Sequence, residues 1–236
     1  MTFLVVLAIT IVASFALREP IRRWPWIFYV LALAADVAFL AASYGLLPRD
    51  VWMLLNKPMQ KASIALALFA VVMYIGVFPR DSKVSHWLRP IRAQLSIIAC
   101  LLIAGHMAMF LGSYVVRLFN GSVMKPNVLA SFLIAVLLLV LVVVLGVTSF
   151  KVVKRHMTPK TWKNIQRWAY PFFVLAYAHV LLMLLPAAAR GGANAKESII
   201  VYSVVFGVYF VARIVRAVLD RKAGHTPPVD EDLAAE

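Results

Sequence analysis

Residues 87–114 read WLRPIRAQLSIIACLLIAGHMAMFLGSY, an apolar run with basic residues at its start and one histidine beyond its centre. A helix needs about 20 apolar residues to cross the hydrocarbon core of a bilayer, and this run is long enough. Similar blocks recur along the 236 residues, of which 63% are hydrophobic, whereas soluble domains average about 45–50% apolar residues. The run therefore predicts one helix of a polytopic transmembrane bundle.

The apolar blocks predict an all-α fold with a six-helix core and one extra N-terminal helix. The seven segments are 2–17, 25–47, 62–78, 95–118, 128–150, 169–189 and 199–219. Segment 2–17 is short, and a cleaved signal peptide is the alternative, although its start lacks the usual Lys or Arg. We therefore divide the chain into an extra transmembrane helix with its basic loop (1–24), the main transmembrane domain (25–222) and a disordered cytoplasmic tail (223–236).

Most of the Lys and Arg residues behind the net charge of +14 lie in short loops between the apolar segments. This position indicates that they set the membrane topology and contact lipid head groups, and it argues against nucleic-acid binding. The loops after the first, third, fifth and seventh segments, together with Arg213 and Arg216 near the end of the seventh segment, contain 17 of the 24 Lys and Arg residues. The positive-inside rule then predicts a multi-pass protein of the cell (inner) membrane. Its N-terminus lies outside and its C-terminus lies in the cytoplasm.

The stretch PRDVWMLLNKPMQK, 48–61, is too polar to span the membrane. We interpret it either as a segment lying along the outer surface, with Trp52 at the interface, or as an ordinary connecting loop.

Two of the five histidines, His106 and His179, lie inside apolar segments. At about 1.5 Å per residue, each lies roughly 15–17 Å from the predicted cytoplasmic boundary, on segments that run in the same direction. Two imidazoles at one depth can ligate one haem iron from opposite faces and leave no open site, which suits electron transfer. The CxxCH pattern of covalent haem attachment is absent, so the pair predicts one non-covalent haem b. The alternative is that each histidine only hydrogen-bonds to a neighbouring helix.

Other polar and small residues bear on this site. Asp36 is the one acid inside an apolar segment. Either it takes part in proton or quinol chemistry, or it is a neutral group hydrogen-bonded to Ser43, Tyr44 or another helix.

Gly105 and Gly112 allow close approach of a flat macrocycle or of another helix. Four basic residues that flank the histidine segments could bind haem propionates or could serve topology alone. They are Arg89, Arg92, Lys163 and Arg167.

The ordered set of motifs resembles the ferric-reductase-like transmembrane domain superfamily, and within it the MsrQ type, the haem-binding membrane subunit of the protein-methionine-sulfoxide reductase system. The resemblance covers about 25–219. It rests on MQKASIALALFAVVMYIGVFP (59–79), the stretch quoted at 87–114, Thr148-Ser149 and WKNIQRWAYPFFVLAYAHVLL (162–182). It implies that His106 and His179 are the iron ligands.

Two features depart from the family pattern. The first segment has no counterpart, and Gln166 stands where the family has a further histidine. We therefore predict one haem, with Gln166, Arg89, Arg92 and Arg167 as further cofactor-binding residues. An FMN or a quinone near the inner face could replace the role of the lost ligand.

The chain lacks the soluble FAD and NADPH portion of the fused reductases in this superfamily, so we expect a separate flavin reductase or quinol as electron donor. The resemblance implies an extracytoplasmic partner, such as a molybdenum-dependent reductase, or a small acceptor such as ferric iron. The chain would then be an electron-transfer subunit of an oxidoreductase system. The alternatives are a haem-free transporter or assembly subunit with structural histidines, and a quinol-oxidising subunit in which Asp36 moves protons.

Overall fold

The computed structural model describes residues 3–79, 81–121 and 125–222, and its regular structure within these ranges is entirely helical. The predicted tail, 223–236, lies outside them. The helices are, in chain order, α1 (Phe3–Ala16), α2 (Arg18–Arg23), α3 (Pro25–Ser43), α4 (Arg49–Gln60), α5 (Ser63–Ile75), α6 (Lys83–Leu88), α7 (Arg92–Phe119), α8 (Pro126–Val147), α9 (Lys151–Lys154), α10 (Pro159–Gln166), α11 (Ala169–Ala189) and α12 (Ala193–Lys222). A 3-10 turn, Arg89–Ile91, leads into α7.

The predicted polytopic helical bundle is confirmed. Among the described residues, six helical stretches are long and apolar enough to cross a membrane, and each overlaps one of the last six predicted segments. The first segment forms α1, whose 14 residues extend about 21 Å and are shorter than a full span. The polar stretch 48–61, for which a loop was one alternative, forms helix α4, and Trp52 stacks on Phe39 of α3.

Helix α5 is the centre of the bundle, and eleven of its thirteen residues are buried. A helix that is apolar on every side can be covered by neighbours on every side. Helices α1 and α7 pack along it, and its Tyr74 hydroxyl donates to the Val205 carbonyl of α12 at 2.6 Å. The Phe69 ring meets Phe172 of α11. The outer helices therefore take their positions from α5.

The peripheral helices expose large apolar side chains, as expected for surfaces that face lipid. Leu133 of α8 and Val211 of α12 are 61% and 63% exposed. In each peripheral span, only 22–28% of the apolar 18-residue stretch is buried, against 72% in the span that contains α5. This distribution fits a bundle whose outside is apolar and whose solvent is the bilayer.

The basic connections gather at one end of the bundle, which we call the basic end: α2, α6, the 3-10 turn, α9, α10 and the last turns of α12. Trp87 Nε1 donates to the Phe15 carbonyl at 3.2 Å, and the Arg18 guanidinium lies over the Trp87 ring. Trp162 Nε1 donates to the carbonyl of Thr148 at 3.0 Å. These contacts dock α6 against α1 and α10 against the end of α8.

Helices α3 and α7 meet at Asp36 and Gly105. Asp36 is 5% exposed, and among the described residues neither carboxyl oxygen has a hydrogen-bond partner. The Ser43 hydroxyl donates to the Leu40 carbonyl instead of to Asp36. A Cβ at Gly105 would lie 2.6 Å from Asp36 Oδ1 and 2.9 Å from Cγ. The Asp36 carboxyl occupies the space that a side chain at position 105 would need, so only glycine fits there.

We expect Gly105→Ala to destabilise the protein by about 1–3 kcal/mol, the usual cost of overpacking a filled contact. Thermal unfolding in detergent measures the change. Gly112→Ala is the matched control, because a Cβ there meets nothing within 4 Å. It should leave stability unchanged or improve it by up to about 1 kcal/mol through helix propensity. Adding Asp36→Ala should relieve the clash of Gly105→Ala. Equal stability of the two glycine variants would contradict the packing explanation.

Candidate functional site

His106 lies in the middle of α7, one residue after the contact with Asp36. Its Nδ1 lies 2.7 Å from the Gln60 carbonyl oxygen at the end of α4. A carbonyl oxygen only accepts, so Nδ1 carries the proton and donates it. The imidazole is thereby held in one tautomer and one orientation.

The Gln60 carbonyl can accept this bond because the helix breaks just after it. Ala62 has φ of +50°, the one positive φ among the described residues other than glycine, and it separates α4 from α5. The Ala62 N–H turns back to the Met59 carbonyl, and α5 resumes with the Leu66 N–H bonded to the Ala62 carbonyl. Carbonyls in the last turn of a helix lack intrahelical partners. His106 supplies the partner for one of them.

His179 lies in the middle of α11 and is held by Ser131 of α8. Its Nδ1 lies 2.9 Å from the Ser131 hydroxyl oxygen and 3.1 Å from the Ser131 carbonyl oxygen. Because the carbonyl only accepts, Nδ1 is again the protonated nitrogen. Ser131 is 1% exposed, so it has no contact with solvent.

The two histidines therefore share one arrangement. Each donates Nδ1–H to a backbone carbonyl and keeps the lone pair of Nε2 available, which is the usual state of a metal-ligating imidazole. Both side chains are half-buried, and they are close enough to act on each other electrostatically. Among the described helices, α7 packs mainly on α3 and α5, and α11 on α8 and α12. The histidines thus stand on helices that are not tightly packed against each other.

The two imidazoles can be compared with what an iron porphyrin and a bare metal ion would each need from the protein. Among the described residues, no group of three or more His, Cys, Asp and Glu side chains could hold a metal ion. A haem with two axial ligands needs only two side chains from the protein, because the porphyrin supplies the other nitrogens. The donor set of His106 and His179 is therefore sufficient for that group.

Several residues at this site were missed from the sequence. Ser131 and Gln60 are ordinary residues in the sequence, and only their contacts with the histidines mark them. Phe110 follows His106 at the i, i+4 spacing of a helix face, and the two rings are 4.8 Å apart. That spacing could have been read from the sequence.

The other predicted site residues lie at the basic end. Gln166 Nε2 donates to the Thr148 hydroxyl at 3.0 Å, and Arg167 donates to Asn164. Arg92 lies fourteen residues before His106 on α7, about 21 Å along the helix axis. Arg89 belongs to the 3-10 turn just before it. The structure thus groups the basic residues with one another, several turns away from the histidines.

His86 and His156 are exposed, in α6 and just after α9. Neither lies within the histidine site.

The comparisons with known proteins agree with the fold. A protein of Treponema pallidum (strain Nichols) described only as an uncharacterized protein is 33% identical over 211 residues, which cover 88% of this chain. The chain spans 58% of that relative's length. No solved structure matches. Residues 61–177 match the family described as ferric reductase like transmembrane component, in a span that contains α5, His106 and Ser131 and ends two residues before His179. This match supports the place of the chain in the ferric-reductase-like transmembrane superfamily.

Proposed function

We propose that this protein is a membrane b-type cytochrome that holds one haem between His106 and His179. It would pass electrons from a cytoplasmic flavoprotein or a quinol to an extracytoplasmic reductase or small acceptor. The observation that carries the proposal is that both mid-membrane imidazoles donate Nδ1–H to a carbonyl and keep Nε2 available. Packing alone does not require the same tautomer at two sites.

The side chains around the site have separable roles. The bound haem would supply one-electron transfer between ferric and ferrous iron, with both axial positions filled. His106 and His179 would fix its position, and the Gln60 and Ser131 carbonyls orient their rings. Acceptors on Nδ1–H make the imidazoles more basic ligands. The surrounding apolar helices exclude water and lower the local dielectric.

The family match supports a membrane electron-transfer component, and the narrower features belong to the proposal. The MsrQ-type likeness remains a prediction that rests on the ordered sequence motifs. The single haem is predicted from Gln166, and an N-terminus outside is predicted from the distribution of Lys and Arg. A haem-to-protein ratio near one in the purified protein is the expected value for the single-haem prediction.

Replacing either His106 or His179 by Ala should abolish low-spin haem, because one axial ligand is lost. The measurement is a dithionite-reduced minus oxidised absorption spectrum of the detergent-purified protein from haem-replete cells. His86→Ala and His156→Ala are the controls and should keep the full signal. A normal b-type spectrum in both of the first two variants would refute these ligands, and its absence from the unaltered protein would refute the cytochrome.

Ser131→Ala should keep low-spin haem, because the Ser131 carbonyl still accepts from His179. The imidazole should become a weaker donor to iron once the hydroxyl is gone. We expect the midpoint potential to rise by some tens of millivolts, the one-electron equivalent of about 1 kcal/mol for a hydrogen bond. A redox titration measures it. Ser203→Ala is the control, because the Ser203 hydroxyl pairs with the Tyr177 hydroxyl at 2.7 Å and not with a histidine. An unchanged potential in Ser131→Ala would remove Ser131 from the site.

One observation favours a second candidate, a quinol-oxidising subunit in which Asp36 accepts a proton. The carboxyl is buried without a hydrogen-bond partner among the described residues, beside the helical turn that carries His106. A buried carboxyl at membrane depth is costly and usually has a function.

In this second candidate, Asp36→Asn should leave the haem spectrum and dithionite reduction intact. It should slow haem reduction by a short-chain quinol by about 100-fold, the usual contribution of a general base. Stopped-flow absorbance measures the rate, and Asp50→Asn on the exposed first turn of α4 is the control. Equal quinol-driven rates in the Asp36 variant and the unaltered protein would leave Asp36 a packing residue.

A further inference from the structure

A small polar cavity lies at the basic end, away from the histidine site. Its volume is about 40 Å³, and residues from five helices line it. Since a water centre needs roughly 10–15 Å³, the space suits about three waters or one compact tetrahedral group. The lining residues are Met73, Gly76, Arg92, Gln166, Ala169, Tyr170, Tyr209 and Arg213.

The charged side chains that line this cavity are both cationic. Arg92 and Arg213 contribute guanidinium groups, Tyr170 and Tyr209 contribute phenols, and no lining residue is acidic. The phenol of Tyr209 lies within electrostatic reach of both guanidinium groups. Planar guanidinium groups are the preferred protein partners of phosphate and carboxylate oxygens. The charge of the cavity therefore selects an anion.

The cavity is also held in shape by contacts that do not involve a ligand. Arg213 donates to the Gly76 carbonyl at 3.3 Å and lies over the Tyr170 ring. Gln166 is fixed by its bond to Thr148, and Tyr209 is buried against Tyr74 and Phe173. An anion would thus meet prearranged donors, which lowers the entropic cost of binding.

The site is separate from the proposed haem. Arg92 stands about four helical turns from His106 along α7. A group bound to Arg92 and Arg213 thus occupies a different level of the bundle from a ligand of His106. Gln166, which replaces the family's further histidine, lines this cavity.

We propose that this cavity binds the phosphate group of a ligand, in a site built by Arg92 and Arg213 with Tyr170, Tyr209 and Gln166. Two sources share this chemistry: the head group of a phospholipid in the adjacent leaflet and a soluble phosphate or phosphomonoester. The inference does not depend on the haem, because none of its residues belongs to the histidine site.

Isothermal titration calorimetry on the purified chain in phosphate-free maltoside detergent tests the proposal, with inorganic phosphate in one arm and short-chain phosphatidylglycerol in the other. Saturable binding in the phosphatidylglycerol arm alone would identify a lipid head group, and binding in both arms would identify a site open to soluble phosphate. Arg213→Gln and Arg92→Gln should each weaken binding by at least about tenfold, because each removes a charge-assisted contact. Arg213→Lys should keep part of the affinity.

Arg216→Gln is the matched control. It makes the same change in charge on the same helix, but Arg216 pairs with Asp220 and does not line the cavity. Its binding should equal that of the unaltered protein. No saturable binding in either arm, or undiminished binding in both Arg92→Gln and Arg213→Gln, would overturn the proposal. If Arg213→Gln does not fold, Arg92→Gln and Arg213→Lys decide, and the haem spectrum reports on the other site independently.

Discussion

The hydrogen bond from His106 to the Gln60 carbonyl shows the constraint on which this bundle depends. A polar group at membrane depth must find its partner within the protein, because lipid offers none. Backbone carbonyls inside a helix normally accept a hydrogen bond from a backbone N–H group. A histidine can therefore donate only to a carbonyl at a helix end, which lacks that bond, or to a carbonyl that accepts a second bond. The break at Ala62 releases one at Gln60, and Ser131 shares its carbonyl and adds its hydroxyl for His179.

The transmembrane segments could be predicted from the sequence because hydropathy and helix length are local properties. The run at 169–189 has the same limits in α11, and the run at 95–118 differs from α7 by a few residues. Helix α4 was not predicted as a helix, because the stretch 48–61 is too polar to span and was interpreted as a surface segment or a connecting loop. Its angle to α5 depends on one backbone conformation at Ala62, and alanine carries no local signal for positive φ.

The histidines themselves could be found from the sequence, and their partners could not. An imidazole in an apolar run stands out by residue type. Ser131 is recognised only by its contact with His179, from which it is separated by 48 residues in the sequence. Gly105 illustrates the same limit: its spacing suggested close approach of a macrocycle or a helix, and the structure shows an approach by the Asp36 carboxyl. Residue types reveal where chemistry is possible, but tertiary packing decides which atoms meet.

The middle of α7 and α11 and their basic end impose different chemistry on what can bind between the helices. Around His106 and His179 the surroundings are apolar, the imidazoles are neutral donors to one carbonyl each, and the available atoms are nitrogen lone pairs. At the basic end the cavity is lined by guanidinium and phenol groups, and the positive charge of the guanidinium groups attracts oxygen anions and repels metal cations. Gln166 belongs to this second environment, with its amide bonded to Thr148. The prediction of one haem rests on Gln166, which offers no imidazole to a second iron, whereas the proposed anion site rests on the charge of Arg92 and Arg213. The same stretch of the basic end therefore bears on both proposals, through different residues.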